Sequence, residues 1–111
     1  MRLLSRYEEI ILLTILKLED QAYGVSIRNQ IYTDSGDLWS FASIYTPLDK
    51  LKIKGYVKKT AGPPTSERGG KRKYFYHVTE EGKKALLEIQ DTHQKFWKGV
   101  PRILLDQEES K

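Results

Sequence analysis

Cysteine is absent from the 111 residues, so no disulfide framework, thiolate zinc site or cysteine nucleophile can be built. Histidine occurs only as His77 and His93, and neither has a ligand partner at metal-binding spacing. The carboxylate pairs Glu8-Glu9, Glu80-Glu81 and Glu108-Glu109 are sequence neighbours, and adjacent residues diverge around a helix instead of converging on a substrate. No glycine-rich phosphate loop is present. These gaps point away from an enzyme and leave no catalytic residue, metal ligand or cofactor to name. Long apolar runs are missing too. The stretch from Ile10 to Leu18 is interrupted by Thr14 and Lys17, well short of the roughly 20 apolar residues of a membrane span, and no small-residue cleavage site follows it. The expectation is a soluble, cytoplasmic protein with no membrane partner. The short length excludes a TIM barrel or a full dinucleotide-binding fold and leaves room for one domain with one core.

What is present is more pointed. Seven Tyr, three Phe and two Trp, with 39% hydrophobic residues, are too many for a disordered chain. The formal net charge is +4, but it is unevenly spread. From Lys50 to Lys73 there are nine bases and one acid, Glu67, so that segment carries +8 and the remainder −4. A block this lopsided implies either a polyanionic partner, most often nucleic acid, or a solvated lysine-rich face.

Ser5 and Glu8 have capping-box spacing before a helix that should run to about Leu18 with almost no polar face. Such a helix belongs in the middle of a small fold or in an interface. Tyr23-Gly24 opens a second helix, with Val25, Ile27 and Ile31 inward, that stops at Asp34-Ser35-Gly36-Asp37. Leu38-Trp39 has room for a very short strand. Ser40 should cap a third helix with Phe41, Ile44, Leu48 and Leu51 as its apolar stripe and Gly55 as its stop. Pro47 conflicts with that helix and predicts a kink or a later start near Ser43. Residues 56–60 and 72–78 read as two strands joined by an extended loop from Ala61 to Lys71. Thr79 caps a last helix, along which Leu86, Ile89, His93, Phe96, Val100 and Ile103 follow a 3,4,3,4,3 spacing, the seam of a coiled coil.

Three helices followed by a two-stranded wing is the winged helix-turn-helix order: a mainly α fold with a small β-hairpin, here followed by a C-terminal dimerisation helix. The division expected is 1–78 for the DNA-binding unit and 79–111 for the helix and tail. In such folds the third helix enters the major groove and the wing reaches the neighbouring backbone or minor groove. The positive block falls on those two elements.

Five segments then resemble, in order and spacing, the PadR family of bacterial transcriptional regulators. They are Ala22-Tyr23-Gly24-Val25, Ser43 to Leu51, Lys54-Gly55-Tyr56-Val57, Arg68 to Tyr74 and Tyr76 to Gly82. The resemblance covers about residues 5–90 and is closest to the small subfamily with a single C-terminal helix. The sequence departs from the usual pattern at Pro47, Lys52 and Tyr74. The resemblance implies a homodimeric repressor of efflux, detoxification or stress genes, and of its own gene, acting on a near-palindromic operator and answering to phenolic or multidrug-like compounds. It also implies that Tyr45 contacts DNA through its hydroxyl; without the resemblance, Tyr45 reads equally as an edge-of-core residue.

The residues themselves add further candidates. Ser43, Thr46 and Lys50 lie on the outer side of the third helix, able to reach base edges or phosphates. Lys52 and Lys54 suggest long-range attraction. Tyr23 is placed for a phosphate beside a helix N-terminus, or for the core beside Gly24. Arg68, Gly69, Gly70, Lys71, Arg72 and Lys73 form the wing, where glycines allow close approach and an arginine can enter a narrow minor groove. Leu86, Ile89, His93, Phe96, Trp97 and Val100 are the expected dimer seam; the second reading of Phe96 and Trp97, behind the seam, is a wall for a planar, apolar effector between subunits. Two other readings stay open: a winged-helix module that recruits a protein, with an incidental basic face, and a MarR-like regulator.

Overall fold

The computed structural model describes residues 3–64 and 72–101. Four helices and one hairpin follow in the order α1 (Arg6–Leu18), α2 (Gly24–Ser35), α3 (Phe41–Lys54), β1 (Val57–Pro64), β2 (Arg72–Val78) and α4 (Glu80–Trp97), with a 3₁₀ turn at Glu19–Gln21 before α2.

Local capping rules set the helix starts. The Ser5 hydroxyl accepts from the Glu8 amide at 3.1 Å while Glu8 Oε1 accepts from the Ser5 amide at 2.8 Å, a complete capping box. Ser40 accepts from the Ser43 amide and Thr79 from the Gly82 amide, each at 3.1 Å. Each such cap contributes about 1 kcal/mol. Gly55 ends α3 in the left-handed region (φ 81°), a conformation that side chains with a Cβ rarely adopt.

α1 is the central helix. Its Ile11, Leu12 and Ile15 pack with Ile27 and Ile31 of α2, Ile44, Leu48 and Leu51 of α3, Val57 and Tyr76 of the hairpin, and Leu86 of α4. Not all of its apolar surface is covered by the rest of the fold. Leu13 and Leu16 remain 46% and 40% exposed on the side next to α4. Val25, expected inward, is exposed at the start of α2.

α3 begins at Phe41 and runs through Pro47, so the later start near Ser43 does not occur. A proline at this position costs the helix about 3 kcal/mol, because it cannot donate to the Ser43 carbonyl. Ile44, Leu48 and Leu51 are fully buried beside it, each worth about 1.5–3 kcal/mol, which offsets that cost. The Ser40 cap then holds the start at Phe41.

β1 and β2 pair antiparallel from Val57↔Val78 to Ala61↔Tyr74, and after an irregularity at Pro64↔Arg72. The hairpin is therefore longer than the sequence suggests, with residues 61–64 in strand. Prolines fit because both strands are edges with one side unpaired, and the Phe75 ring lies against Gly62, where a Cβ would come within 2.6 Å of it. No strand forms at Leu38-Trp39. The Trp39 carbonyl accepts from Arg28 Nε at 2.6 Å, and its ring packs on Tyr7. One further backbone bond, Tyr76 N–H to the Ala22 carbonyl at 2.8 Å, ties the wing to the segment before α2.

Candidate nucleic-acid interface

The interface is built on the outer side of α3. Ile44, Pro47, Leu48 and Leu51 face the core, so Ala42, Tyr45, Thr46, Asp49, Lys50 and Ile53 face outward. Phe41, expected in the apolar stripe, is 44% exposed. As the first helical residue it sits on the shoulder of that stripe, stacked on Tyr45 with ring centroids 6.3 Å apart and with the Arg28 guanidinium over its ring at 4.5 Å from the centroid.

Tyr45 reaches from α3 to the start of α2. Its hydroxyl lies so close to Gly24 that a Cβ there would overlap Tyr45 Oη. Gly24 therefore lets a phenol hydroxyl sit at a helix N-terminus, where free amides and the helix dipole favour an anion. Tyr23, the residue before α2, is half-buried and packs edge-on against Phe75 of β2 at 5.7 Å. Lys73 Nζ stands 4.5 Å from the Tyr23 ring centroid, so wing and α2 are locked together.

Two grooves flank α3. The first, about 450 Å³, lies between α3 and the wing and is lined by Tyr23, Tyr45, Asp49, Lys59, Lys73 and Tyr74, among others. Lys59 Nζ sits over the Tyr74 ring at 4.5 Å and the Tyr76 ring at 6.0 Å. Burial, with the nearby Asp49 carboxylate and the repulsion a second phenolate at Tyr45 would add, pushes the Tyr76 phenol up from its ordinary value. The second groove, about 440 Å³, runs between α3 and the start of α1, with Ser43, Thr46 and Lys50 on its α3 wall. Ser43 is half-buried, and its hydroxyl is 3.0 Å from that of Ser40. Ser43 thus stands at the flank of the outer face, whereas Thr46 and Lys50 stand on it.

The charges sort by element. Lys17, Lys54, Lys83, Lys84 and Lys95 each pair with an acid. Lys54, expected to attract at long range, instead holds Glu8 Oε2 at 2.6 Å. Lys50, Lys52, Lys58, Lys59, Lys73 and Lys98 form no ion pair with another described residue, and all but Lys98, just past α4, belong to α3 or the wing. Arg68, Gly69, Gly70 and Lys71 lie outside the described residues; Arg72 begins β2. Lys59, Arg28 and Asp49 are not among the site residues the sequence suggests, and Phe41 reads there as part of the core stripe. Strand alternation placing Lys59 opposite Tyr76 was the available signal for the first of them.

A third groove, about 530 Å³ and mostly apolar, separates α1 from α4, lined by Leu13, Leu16, Leu86, Leu87, His93 and Trp97 among others. His93 Nε2 is 3.3 Å from Glu9 Oε2 at its rim. Of the expected seam, Leu86 and Ile89 are buried within the protomer, Val100 is half-buried, and Phe96 is 73% exposed outside this groove. Leu87, absent from that seam, is 67% exposed within it. Among the described residues no group of His, Cys, Asp and Glu could hold a metal ion, and no helix is long and apolar enough to cross a membrane.

Comparison with solved structures finds the same architecture. A PadR family transcription regulator from hypervirulent Clostridium difficile is 29% identical, with a TM-score of 0.62 over 89% of this chain and 98% of that one. A PadR-like transcription factor from Bacteroides fragilis is 21% identical, with a TM-score of 0.71 over 86% and 87% of the two chains. A transcriptional regulator of Thermoplasma acidophilum is 22% identical, with a TM-score of 0.67 over 95% and 94%. The last two show the shared fold alone. No curated protein matches the sequence significantly. The sequence model of the transcriptional regulator PadR-like family matches residues 12–88, from α1 into α4, and the chain is a member of that family of transcriptional regulators.

Proposed function

We propose that the chain is a homodimeric repressor that binds duplex DNA through α3 and the wing. The observation that carries this reading is the segregation of charge. Of the described lysines without an acid partner all but Lys98 lie on α3 and the hairpin, and Lys59 and Lys73 line one groove with Tyr45 and the start of α2. In this reading residues 1–78 bind DNA, and residues 79–111 supply the dimerisation helix and tail. Thr46 and Lys50 meet the major groove; Tyr23, Tyr45 and Lys73 meet phosphates; the wing from Arg68 to Arg72 reaches the adjacent backbone. Two copies associate through the apolar α1–α4 groove, placing two α3 helices one turn of DNA apart, about 34–36 Å, on a near-palindromic operator. A planar, apolar effector fits the same groove, whose volume lies within the range of small-molecule sites. The regulated genes are those of efflux, detoxification or stress defence, and its own gene, in the cytoplasm.

The test is a fluorescence titration of the full chain on the duplex upstream of its own gene, at several salt concentrations. Six or more phosphate contacts predict a loss of about a thousandfold or more in affinity between about 50 and about 200 mM salt. A flat salt response refutes the electrostatic part of the reading. Sedimentation should give twice the 12.9 kDa chain mass, and a monomer at micromolar concentration refutes the dimer.

A further inference from the structure

Asp49 is the odd residue on a face otherwise suited to a polyanion. It sits at the centre of the outer side of α3, with Tyr45 and Thr46 one turn before it and Lys52 and Ile53 one turn after. It is exposed, and it forms no hydrogen bond or ion pair with any other described residue. Lys59 and Lys73 line the same groove, yet each rests over an aromatic ring and neither holds the carboxylate. A carboxylate placed there repels phosphates and lowers affinity for any duplex. Its presence needs a compensating partner that only some duplexes supply.

An ionised carboxylate only accepts hydrogen bonds. In the major groove, guanine offers N7 and O6 and thymine offers O4, all acceptors, so both repel it. Only cytosine N4 and adenine N6 donate. Adenine N6 stands beside the acceptor N7, which faces the second carboxylate oxygen; cytosine N4 has only a C–H as neighbour on that edge. Resting on the DNA-binding reading above, we infer that Asp49 is a specificity-determining residue whose carboxylate accepts from the N4 amino group of one cytosine in each half-site.

The experiment selects binding sites for the full chain from a randomised duplex pool, alongside Asp49→Ala and Asp49→Asn. The wild type is expected to demand cytosine at one position of each half-site. Both variants should lose that preference while keeping the others, and Asp49→Ala should bind unselected duplex several-fold more tightly. Replacing that cytosine with pyrimidin-2-one, which lacks the amino group, should weaken the wild type about tenfold per half-site and leave Asp49→Ala unmoved. A structural role for Asp49 predicts instead that the variants weaken on every duplex alike, and that outcome overturns the inference. So do an unchanged cytosine preference in the variants and selection of adenine at the position Asp49 controls. Failure of the wild type to bind any duplex overturns the DNA-binding reading itself, and is distinguished by the absence of any selected site.

Discussion

Replacing Lys54 by Met tests how the recognition helix is held to the rest of the fold. Lys54 ends α3 and reaches back to Glu8 in the first turn of α1, with Nζ 2.6 Å from Oε2. The Glu8 side chain is 6% exposed and that of Lys54 40%. Burial alone would push the Glu8 carboxyl up, but hydrogen bonds from Lys54 and Ser5, with the Lys54 charge, outweigh it and hold it below the ordinary carboxylate value. Breaking a fully buried ion pair by removing one partner costs about 3–5 kcal/mol. Water reaches the Lys54 end here, so about half of that is expected, roughly 1.5–2.5 kcal/mol. For a domain of this size that is a drop in Tm of about 6–10 °C.

The pH dependence separates an ion pair from lost packing. A carboxylate whose folded pKa is depressed contributes stability that is fully present above its unfolded value of 4.5 and is lost as pH falls through the folded value. In Lys54→Met the burial penalty on Glu8 is unopposed by the lysine, so the folded value rises. The gap between wild type and variant should be complete at pH 7, narrow as pH falls through the raised value of the variant, and close below the lowered value of the wild type. Thermal unfolding followed by circular dichroism, at one protein concentration and at about pH 7 and pH 3, reads it. Adding Glu8→Gln should recover part of the loss at pH 7, because the buried charge is gone while an amide oxygen can still take the Ser5 N–H. A variant as stable as wild type at pH 7, or a gap of equal size at both pH values, refutes the reasoning.

Other perturbations follow from the same contacts. Gly82→Ala places a Cβ against the Tyr56 carbonyl and Val78, and since a backbone atom cannot step aside cheaply it should cost about 1–3 kcal/mol in thermal or urea unfolding. Lys73→Ala removes a cation with no acid partner among the described residues, so affinity should fall by a similar factor on every duplex and the salt slope should drop by about 1. Leu87→Glu puts a charge into the α1–α4 groove at a position 67% exposed, so the fold should persist while sedimentation shows the monomer; an unchanged dimer moves the interface elsewhere.

What was legible in the sequence was governed by local rules. The capping residues Ser5, Ser40 and Thr79 and the stop at Gly55 need only their near neighbours, and each helix starts or ends where they place it. What escaped depends on what packs across. Pro47 reads as a breaker until three buried neighbours outweigh it. Pro63 and Pro64 read as loop until a two-stranded hairpin offers them an unpaired side. Lys54 counts as one more positive charge until the fold brings it, from 46 residues away, onto Glu8. Asp49 falls one residue outside the basic block of the sequence, and only the buried set of α3 defines the outer face on which it stands.

The C-terminal helix shows the limit of periodicity most directly. A 3,4 spacing through Leu86, Ile89, His93 and Phe96 identifies an apolar side of a helix but not what that side covers. α4 divides it by position along the helix. Near its start, Leu86 and Ile89 are buried within the protomer, Leu86 in the common core with α1. Farther along, Phe96 stands exposed; the open apolar surface lies instead to one side of the seam, at Trp97 and at Leu87, about 100° round the helix from Leu86, beside Leu13 and Leu16. A helix spent wholly on its own core would leave nothing to associate through; one reserved wholly for a partner would leave α1 uncovered and the fold without Leu86. In the dimeric reading proposed above the same two helices serve both purposes, and a molecule wedged between α1 and α4 would push on the helix whose first turn holds Lys54 at the end of α3. On that reading an effector in this groove would have a short mechanical route to α3, through Glu9 and His93 at the groove rim and Glu8 one residue earlier.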